Sequence, residues 1–597
     1  MKRLIILALT LTAGLSACDV LDLEPKDRVT QFDYFKTASD LELFSNPFYN
    51  NLLDKQPFDE QSDLLVQNTL SAILFGGSHR TVPESGGGWS WTDLRRINTL
   101  LEYADMCDDK EAVTKYTAVT RFFRAFFYFE KVKRFGDVPW YNIQLGSADE
   151  LLYKPRDSRE LVMTNMLEDL EYAITSGGLT ESAADPYHVN KWAALALKAQ
   201  ACLYEGTYRK YHNLNLDGHD ADYYLDLAAK AAKKIIDESP YSLQTGDPEK
   251  AYLTLFSQKD ASPQEYILAI KFDYAIGARH NASAYTLLPT QGRPGITRKF
   301  INTYLMKDGT AFTNKPGWQE MQFIEETKDR DPRLAQSIRT PGYTRIGSTK
   351  VEGPMFDVAV TGYQPVKFVQ DPTRNGNNND RVDSSDCDIP VYRFGEVLLI
   401  YAEAKAELGT LTQDDLTISI NKLRDRVGMP DLNMAKANAN PDWYLSSPEY
   451  GYPNVSGANM GVILEIRRER TIEMVQEGTR LEDLVRWKAG SCIDQAITGM
   501  YFPGPGEYDL TGDGKADLIL YAKGAAKPSA GEGVYVYELD TEIFLSEGTK
   551  GYMAFHKDVQ RVKFNEGRDY LYPIPSGERS LNKNLTQNPG WNDGLDF

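Results

Sequence analysis

Phe394-Gly395-Glu396-Val397-Leu398-Leu399-Ile400-Tyr401-Ala402-Glu403-Ala404-Lys405-Ala406-Glu407-Leu408 sets Phe394, Val397, Tyr401, Ala404 and Leu408 at alternating steps of three and four. That spacing lays five apolar side chains on one stripe and predicts a helix over 393–408. Its partner is expected over 415–427, with Asp414 or Asp415 as N-cap and Gly428 as the stop. Working outward, the same period predicts helices over 91–106 and 111–135, the second dense in Phe122, Phe123, Phe126, Phe127 and Phe129. Further helices are expected over 159–176, 190–206 and 222–238, where Ala193, Ala196, Ala199 and Ala201 allow close approach of a neighbour. Between them the chain is irregular. Residues 240–390 are rich in Gly, Pro, Asn and Thr, and 428–460 read as a long Pro-bearing loop. Residues 501–575 alternate short β-like runs, such as Val534-Tyr535-Val536-Tyr537, with Gly-rich turns.

Paired amphipathic helices with short turns resemble tetratricopeptide repeats, though with degenerate signatures. The expected fold is mainly α: a tetratricopeptide-like helical-repeat scaffold with a long irregular loop-rich face and short β-hairpins. Composition agrees with a packed protein. Of 597 residues 42% are hydrophobic and 11% aromatic, which excludes disorder and a bare coiled coil. Lys plus Arg number 66 against 85 acids, a net charge of −19, and such a surface repels nucleic acid. The five Cys (18, 107, 202, 387, 492) form no CxxC or zinc-ligand pattern, so mostly free, buried thiols are expected.

Met1-Lys2-Arg3 followed by the apolar run Leu4–Leu15 reads as a secretory leader, since twelve residues fall short of the about 20 needed to span a bilayer. Its end, Leu15-Ser16-Ala17-Cys18, resembles the bacterial lipobox, in which the Cys is acylated; ordinary cleavage near Ala17 is the alternative. Residues 1–17 are thus expected to be removed, 18–240 to form an N-terminal helical-repeat region, and 241–597 a C-terminal region with loop insertions packed into the same unit. The membrane would be reached through lipid at Cys18 alone.

Several blocks together resemble the SusD/RagB family of nutrient-uptake lipoproteins. They are Leu23-Glu24-Pro25 with Tyr34-Phe35 and Ala38-Ser39-Asp40, then Arg121–Phe129 and Arg134-Phe135-Gly136-Asp137-Val138-Pro139. Pro390–Ala404, Asn421–Gly428, Ile466–Arg470, Glu477–Arg480, Asp483–Lys488, Tyr572-Pro573-Ile574-Pro575 and Gln587–Trp591 follow in order. The resemblance implies a lipid-anchored protein on the extracellular face of the outer membrane, acting as a lid on a SusC-type TonB-dependent transporter. It implies capture of oligosaccharides, or of oligopeptides in some members, with no chemistry on the ligand and no required cofactor. The motif residues themselves read as structural. Arg470 with Glu473 and Glu477 with Arg480 are spaced i,i+3, the 467–486 cluster suits a buried ionic network, and Arg124 needs a carboxylate partner.

A sugar offers apolar C–H faces and hydroxyls, so its site needs flat aromatics and amide, carboxylate or guanidinium groups. By region of the family, the ligand-binding candidates are Arg80, Trp89 and Trp91 before the first helix pair, with Tyr285, Arg293 and Trp318 from mid-chain. Ser85-Gly86-Gly87-Gly88 is expected to present Trp89 to solvent, whereas Trp91 either does the same or starts the helix and packs inward. Trp140, Trp192, Trp487 and Trp591 are expected in the core.

Asp509-Leu510-Thr511-Gly512-Asp513-Gly514-Lys515-Ala516-Asp517 resembles most of a calcium loop. Asp509, Thr511, Asp513 and Asp517 offer side-chain oxygens and Lys515 a carbonyl, but Leu520 stands where the bidentate acid belongs. A structural calcium is therefore a candidate. No HExxH, GxSxG, Walker A or GxGxxG pattern occurs, and an enzyme is not expected. A third class, a scaffold whose helical grooves bind protein, would leave the aromatic loops without affinity for nutrients.

Overall fold

The computed structural model describes residues 34–53, 61–76 and 80–597; the leader, Cys18 and Leu23-Glu24-Pro25 lie outside them. The scaffold helices are α1 (Ala38–Leu52), α2 (Thr92–Tyr103), α3 (Lys110–Phe135), α4 (Arg159–Thr175), α5 (Lys191–His212), α6 (Ala221–Glu238), α7 (Phe394–Glu407), α8 (Gln413–Thr417), α9 (Ile420–Arg426), α10 (Met460–Glu473) and α11 (Arg480–Arg486). Consecutive members pack as hairpins, α2 on α3, α3 on α4, α4 on α5 and α5 on α6. α7 then packs on α6 and α10, and α11 on α5, so residues from both halves share one core.

Local chemistry explains the main elements. Asp109 caps α3 by accepting the N–H groups of Glu111 and Ala112, Lys133 and Arg134 oppose the dipole at its other end, and Gly136 (φ 72°) ends it. The helix is buried nearly all round through Phe122, Phe123, Phe127, Tyr128 and Phe129. At Gly206 in α5 a Cβ would come within 2.7 Å of Leu225, which is why a small residue stands where α6 crosses closely. The predicted 415–427 helix is divided in two: Thr412 and Asp415 form a capping box for α8, and Ser419, at φ −129° and ψ −95°, breaks the path before α9.

Strands are short. β1 (Tyr266–Ile270) and β2 (Ile389–Arg393) pair antiparallel and feed Arg393 straight into α7. β3 (Gly506–Tyr508) and β4 (Leu518–Tyr521) form an expected hairpin. β5 (Tyr535–Glu538) instead lies parallel to β4, because the Gly-rich connection between them is long enough to cross back.

An ionic network locks these parts together, but not through the predicted i,i+3 pairs. α10 ends at Glu473 and α11 begins at Arg480, so Glu477 and Arg480 do not share a helix. Glu473 binds Arg426 at 2.6 Å and Arg393 at 2.8 Å, with Arg333 at 3.6 Å. Glu477 binds Arg393 and Lys367, each at 2.7 Å, while Arg470 pairs with Asp483 at 2.8 Å and Arg480 with Asp63 at 2.7 Å. Arg124 pairs with Asp169 at 2.7 Å. Arg467 is buried without a hydrogen bond, its guanidinium 4.4 Å from the Trp487 ring centre and 4.8 Å from that of Tyr211. Trp140, Trp192 and Trp487 are core residues, Trp591 is half-buried, and Cys107, Cys202, Cys387 and Cys492 are free and buried.

Candidate functional site

The loop between α9 and α10 makes a short helix, Trp443–Ser446, capped by Asp442, which accepts the N–H groups of Tyr444 (2.8 Å) and Leu445 (3.0 Å). The other Asp442 oxygen binds Arg468 of α10 and ties the loop to the scaffold. Downstream, the N–H groups of Gly451 and Tyr452 donate to Ser447 and Leu445 carbonyls. This closure stacks Tyr450 on Tyr444, with ring centres 4.6 Å apart and planes 8° from parallel. Trp318 stands edge-on to Tyr444 at 5.7 Å, and Trp443 lies 6.2 Å from Trp318.

Trp318, Tyr444 and Tyr450 border a recess of about 200 Å³ that is also lined by Asn302, Gln495, Arg298, Lys299 and Tyr552. Two of these lining residues, Asn302 and Gln495, carry amide oxygens (Oδ1 and Oε1) that are buried with no hydrogen-bond partner. Leaving such an acceptor unsatisfied costs about 1–3 kcal/mol, so a ligand bringing hydroxyl donors would recover stability lost in the free protein. The cations are already paired, Lys299 with Asp63 at 2.5 Å, a carboxylate it shares with Arg480, and Arg298 with Glu326 at 3.0 Å. Trp443 does not line the recess but stands 6.2 Å behind Trp318 and is 46% exposed, giving a flat apolar face for anything that extends beyond the recess.

Of the six predicted ligand residues only Trp318 lines this recess. It is 6% exposed, so it forms a wall and not an open platform. Trp89 is likewise 6% exposed, contrary to the expectation of a solvent-facing ring. It packs edge-on against Phe135 (4.9 Å) and Trp91 (5.3 Å). The glycine turn before it is fixed, because the carbonyls of Gly87 and Gly88 accept hydrogen bonds from Arg134 and Lys131. Trp91 is half-buried ahead of α2, 5.7 Å from Phe127 and 5.8 Å from Tyr141, and lines a separate groove of about 640 Å³ with Trp89, Tyr141 and Tyr153.

Arg80 is a structural clip. It pairs with Asp569, donates to the Ala72 and Ile73 carbonyls, and covers Phe564. Tyr285 is buried and its hydroxyl accepts from Gln67. Arg293, at φ 53°, donates to the Phe356 carbonyl at 2.7 Å and lies 5.3 Å over Phe555. The sequence reading missed Asn302, Tyr444, Tyr450 and Gln495; the density of rings in Asp442-Trp443-Tyr444 and Glu449-Tyr450, inside a loop already marked as long, was the available signal.

In the calcium-like loop, Asp509 accepts the N–H groups of Thr511, Gly512 and Gly514, and Asp517 those of Leu510 and Thr511 together with the Thr511 hydroxyl. Asp513 accepts the Lys515 N–H at 2.9 Å. The carboxylates thus close the turn on its own backbone. Among the described residues no group of three or more His, Cys, Asp or Glu side chains is placed to hold a metal ion.

Residues 264–591 match the sequence model of the SusD family, and residues 34–190 match a model described as starch-binding associating with outer membrane. SusD-like protein P38 of Formosa agariphila is 24% identical over 538 residues, covering 81% of this chain and 91% of that protein. SusD-like protein P2 of the same organism is also 24% identical, over 518 residues, covering 82% and 92%. Among solved structures, a SusD-like protein from Bacteroides fragilis superposes with a TM-score of 0.67 at 19% identity, covering 95% of this chain and all of that one. A SusD-like carbohydrate binding protein from the same species gives 0.68 at 20%, covering 93% of this chain and all of that one. The likeness in structure is one of fold. Since the first model alone spans more than half of the sequence, and the motif order from Tyr34 to Trp591 is the one the helical scaffold displays, the chain belongs to the SusD family.

Proposed function

We propose that the protein captures neutral oligosaccharides at the outer membrane and delivers them, as a lid, to a SusC-type TonB-dependent transporter, without chemistry on the ligand. The observation that carries this reading is the recess between Trp318, Tyr444 and Tyr450, where two buried amide oxygens await hydroxyl donors and the neighbouring cations are already paired. Stacked rings suit pyranose C–H faces, and orphaned acceptors suit their hydroxyls. The printed descriptions of the second family model and of the Bacteroides fragilis neighbour, starch-binding and carbohydrate binding, point the same way. No described helix is long and apolar enough to cross a membrane; attachment through lipid on Cys18 is part of this proposal and rests on the Leu15-Ser16-Ala17-Cys18 motif.

The test uses the chain from Asp19 to Phe597 in native gels containing neutral plant, host and microbial polysaccharides. Retardation by one of them is expected, and Trp443→Ala should weaken binding of that glycan about threefold to tenfold, the worth of one exposed stacking ring. Because Trp443 is half exposed, thermal stability should stay unchanged. Binding confined to oligopeptides, followed by Trp fluorescence, would overturn the glycan reading in favour of peptide capture. No binding to either class would favour a protein-interaction scaffold.

A further inference from the structure

A second recess, of about 360 Å³, opens between the C-terminal turn of α3, the Gly86–Gly88 turn, α11 and the segment Asp569–Tyr572. Its charges do not balance. Glu130 and Glu482 both bind Lys133, at 2.6 and 2.5 Å. Asp569 is held by Arg80 and by Arg568, and Arg480 is spent on Asp63. Lys131 and Arg134 line the same recess, three residues apart on one helix face, and among the described residues neither has a carboxylate within ion-pair distance.

Lys131 is only 7% exposed. Its ammonium donates to the Gly88 carbonyl and otherwise meets the rings of Phe127 at 4.8 Å and Trp91 at 5.5 Å. Arg134 donates its Nε to the Gly87 carbonyl at 2.7 Å and stacks 3.7 Å from the Tyr572 ring centre. That geometry orients the fork but, among the described residues, leaves it without a counter-charge. The helix dipole accounts for cations at this end of α3, but not for burying one of them beside a neutral carbonyl, which is costly without an anion. The contrast is sharp in a chain carrying 85 acids and a net charge of −19.

We propose that this recess binds an anionic group, a carboxylate or sulfate ester borne by the captured saccharide, between the Lys131 ammonium and the Arg134 guanidinium. The saccharide source rests on the function proposed above; the anion site itself does not. Arg suits planar bidentate recognition of such groups, and the ammonium adds a point charge. Gly88 and Glu130 are exposed at the rim, so the group can enter from solvent.

The experiment titrates the chain from Asp19 to Phe597 with inorganic sulfate, a uronic-acid oligosaccharide, a sulfated galactan oligosaccharide and the neutral galactan counterpart. Trp fluorescence is read because Trp91 adjoins Lys131. The charged saccharides should bind about tenfold more tightly than the neutral one, as expected of charge-assisted hydrogen bonds, and sulfate alone should change the emission. Lys131→Met and Arg134→Gln should each abolish the sulfate response and the charged-over-neutral preference while leaving neutral binding intact, which shows that the fold survives.

Sulfate binding should also weaken as pH rises through about 8, where burial has lowered the titration of Lys131. Besides Lys131, the charged groups around it among the described residues are Glu130, Lys133 and Arg134 on its own helix, Asp93 on α2, and the paired Glu482, Arg480 and Asp569 across the recess. The Gly turn contributes only carbonyls. Equal affinity for charged and neutral saccharides, or a sulfate response retained in both variants, would overturn the proposal. A sulfate response in a protein that binds no saccharide would sink the glycan reading and leave the anion site standing.

Discussion

Glu473→Ala is expected to destabilise the protein by about 3–5 kcal/mol, the loss typical of removing one partner from a buried ion pair. Glu473 is fully buried and faces three guanidiniums, those of Arg426, Arg393 and Arg333. Arg393 would keep Glu477 and Glu265, but Arg426 would be left with Glu265 alone at 3.5 Å. Burial by itself would raise the Glu473 carboxyl; the three cations outweigh it and hold the group well below its usual value of 4.5. A depressed carboxyl contributes stability above its unfolded value and loses it as pH falls. The gap between wild type and variant should therefore be full at pH 7 and shrink below pH 4.5. Urea midpoints at both pH values measure it, with Glu238→Ala as control, since the exposed Lys234–Glu238 pair is worth only about 0.3–0.5 kcal/mol. A Glu473→Ala loss no larger than the control would show that the network closes over the gap.

That network also marks where the sequence was legible and where it was not. Helices α3 and α7 could be read because their apolar periods are long and uninterrupted, and the Arg/Glu density from 467 to 486 announced buried ion pairs. The partners were not legible. Glu473 is served by Arg333 and Arg426, which arrive from distant segments, and no spacing rule reports a contact made across 47 or 140 residues. The glycine turn before Trp89 misled for a related reason. Gly86, Gly87 and Gly88 all adopt positive φ, which looked like freedom, yet Lys131 and Arg134 one helix away fix the turn and fold the indole inward. Positive φ selects glycine whether a turn is loose or locked. The binding recess was hidden because its parts come from five places, the short helix Arg298–Thr303, the Trp318 turn, the 444–450 loop, the Gln495–Thr498 segment and Tyr552, each unremarkable alone.

The second large effect is expected at a residue that would touch no ligand. In Gly451 the α-hydrogen faces the backbone of Leu445, and a Cβ there would sit far inside contact distance of the Leu445 carbonyl oxygen. That oxygen already accepts the Tyr452 N–H at 2.6 Å, and the Gly451 N–H donates to Ser447 at 2.8 Å. Backbone on both sides leaves no flexible side chain to yield, so Gly451→Ala must open the loop. Overpacking of this kind costs about 1–3 kcal/mol, a local loss that should leave the helical scaffold folded. The functional effect should be larger, because the same closure holds Tyr450 against Tyr444 and brings Gln495 Nε2 within 3.4 Å of the Gly451 carbonyl. Opening it separates the stacked rings and releases one of the two orphaned acceptors from the recess. Glycan affinity should then fall by more than the about threefold to tenfold expected for Trp443→Ala, while the far-ultraviolet helical signal is retained. Isothermal titration of Gly451→Ala, Trp443→Ala and wild type with the retained glycan ranks the three. If Gly451→Ala binds as wild type does, the ligand does not use the Tyr444–Tyr450 recess, and the 640 Å³ groove beside Trp91 becomes the place to look.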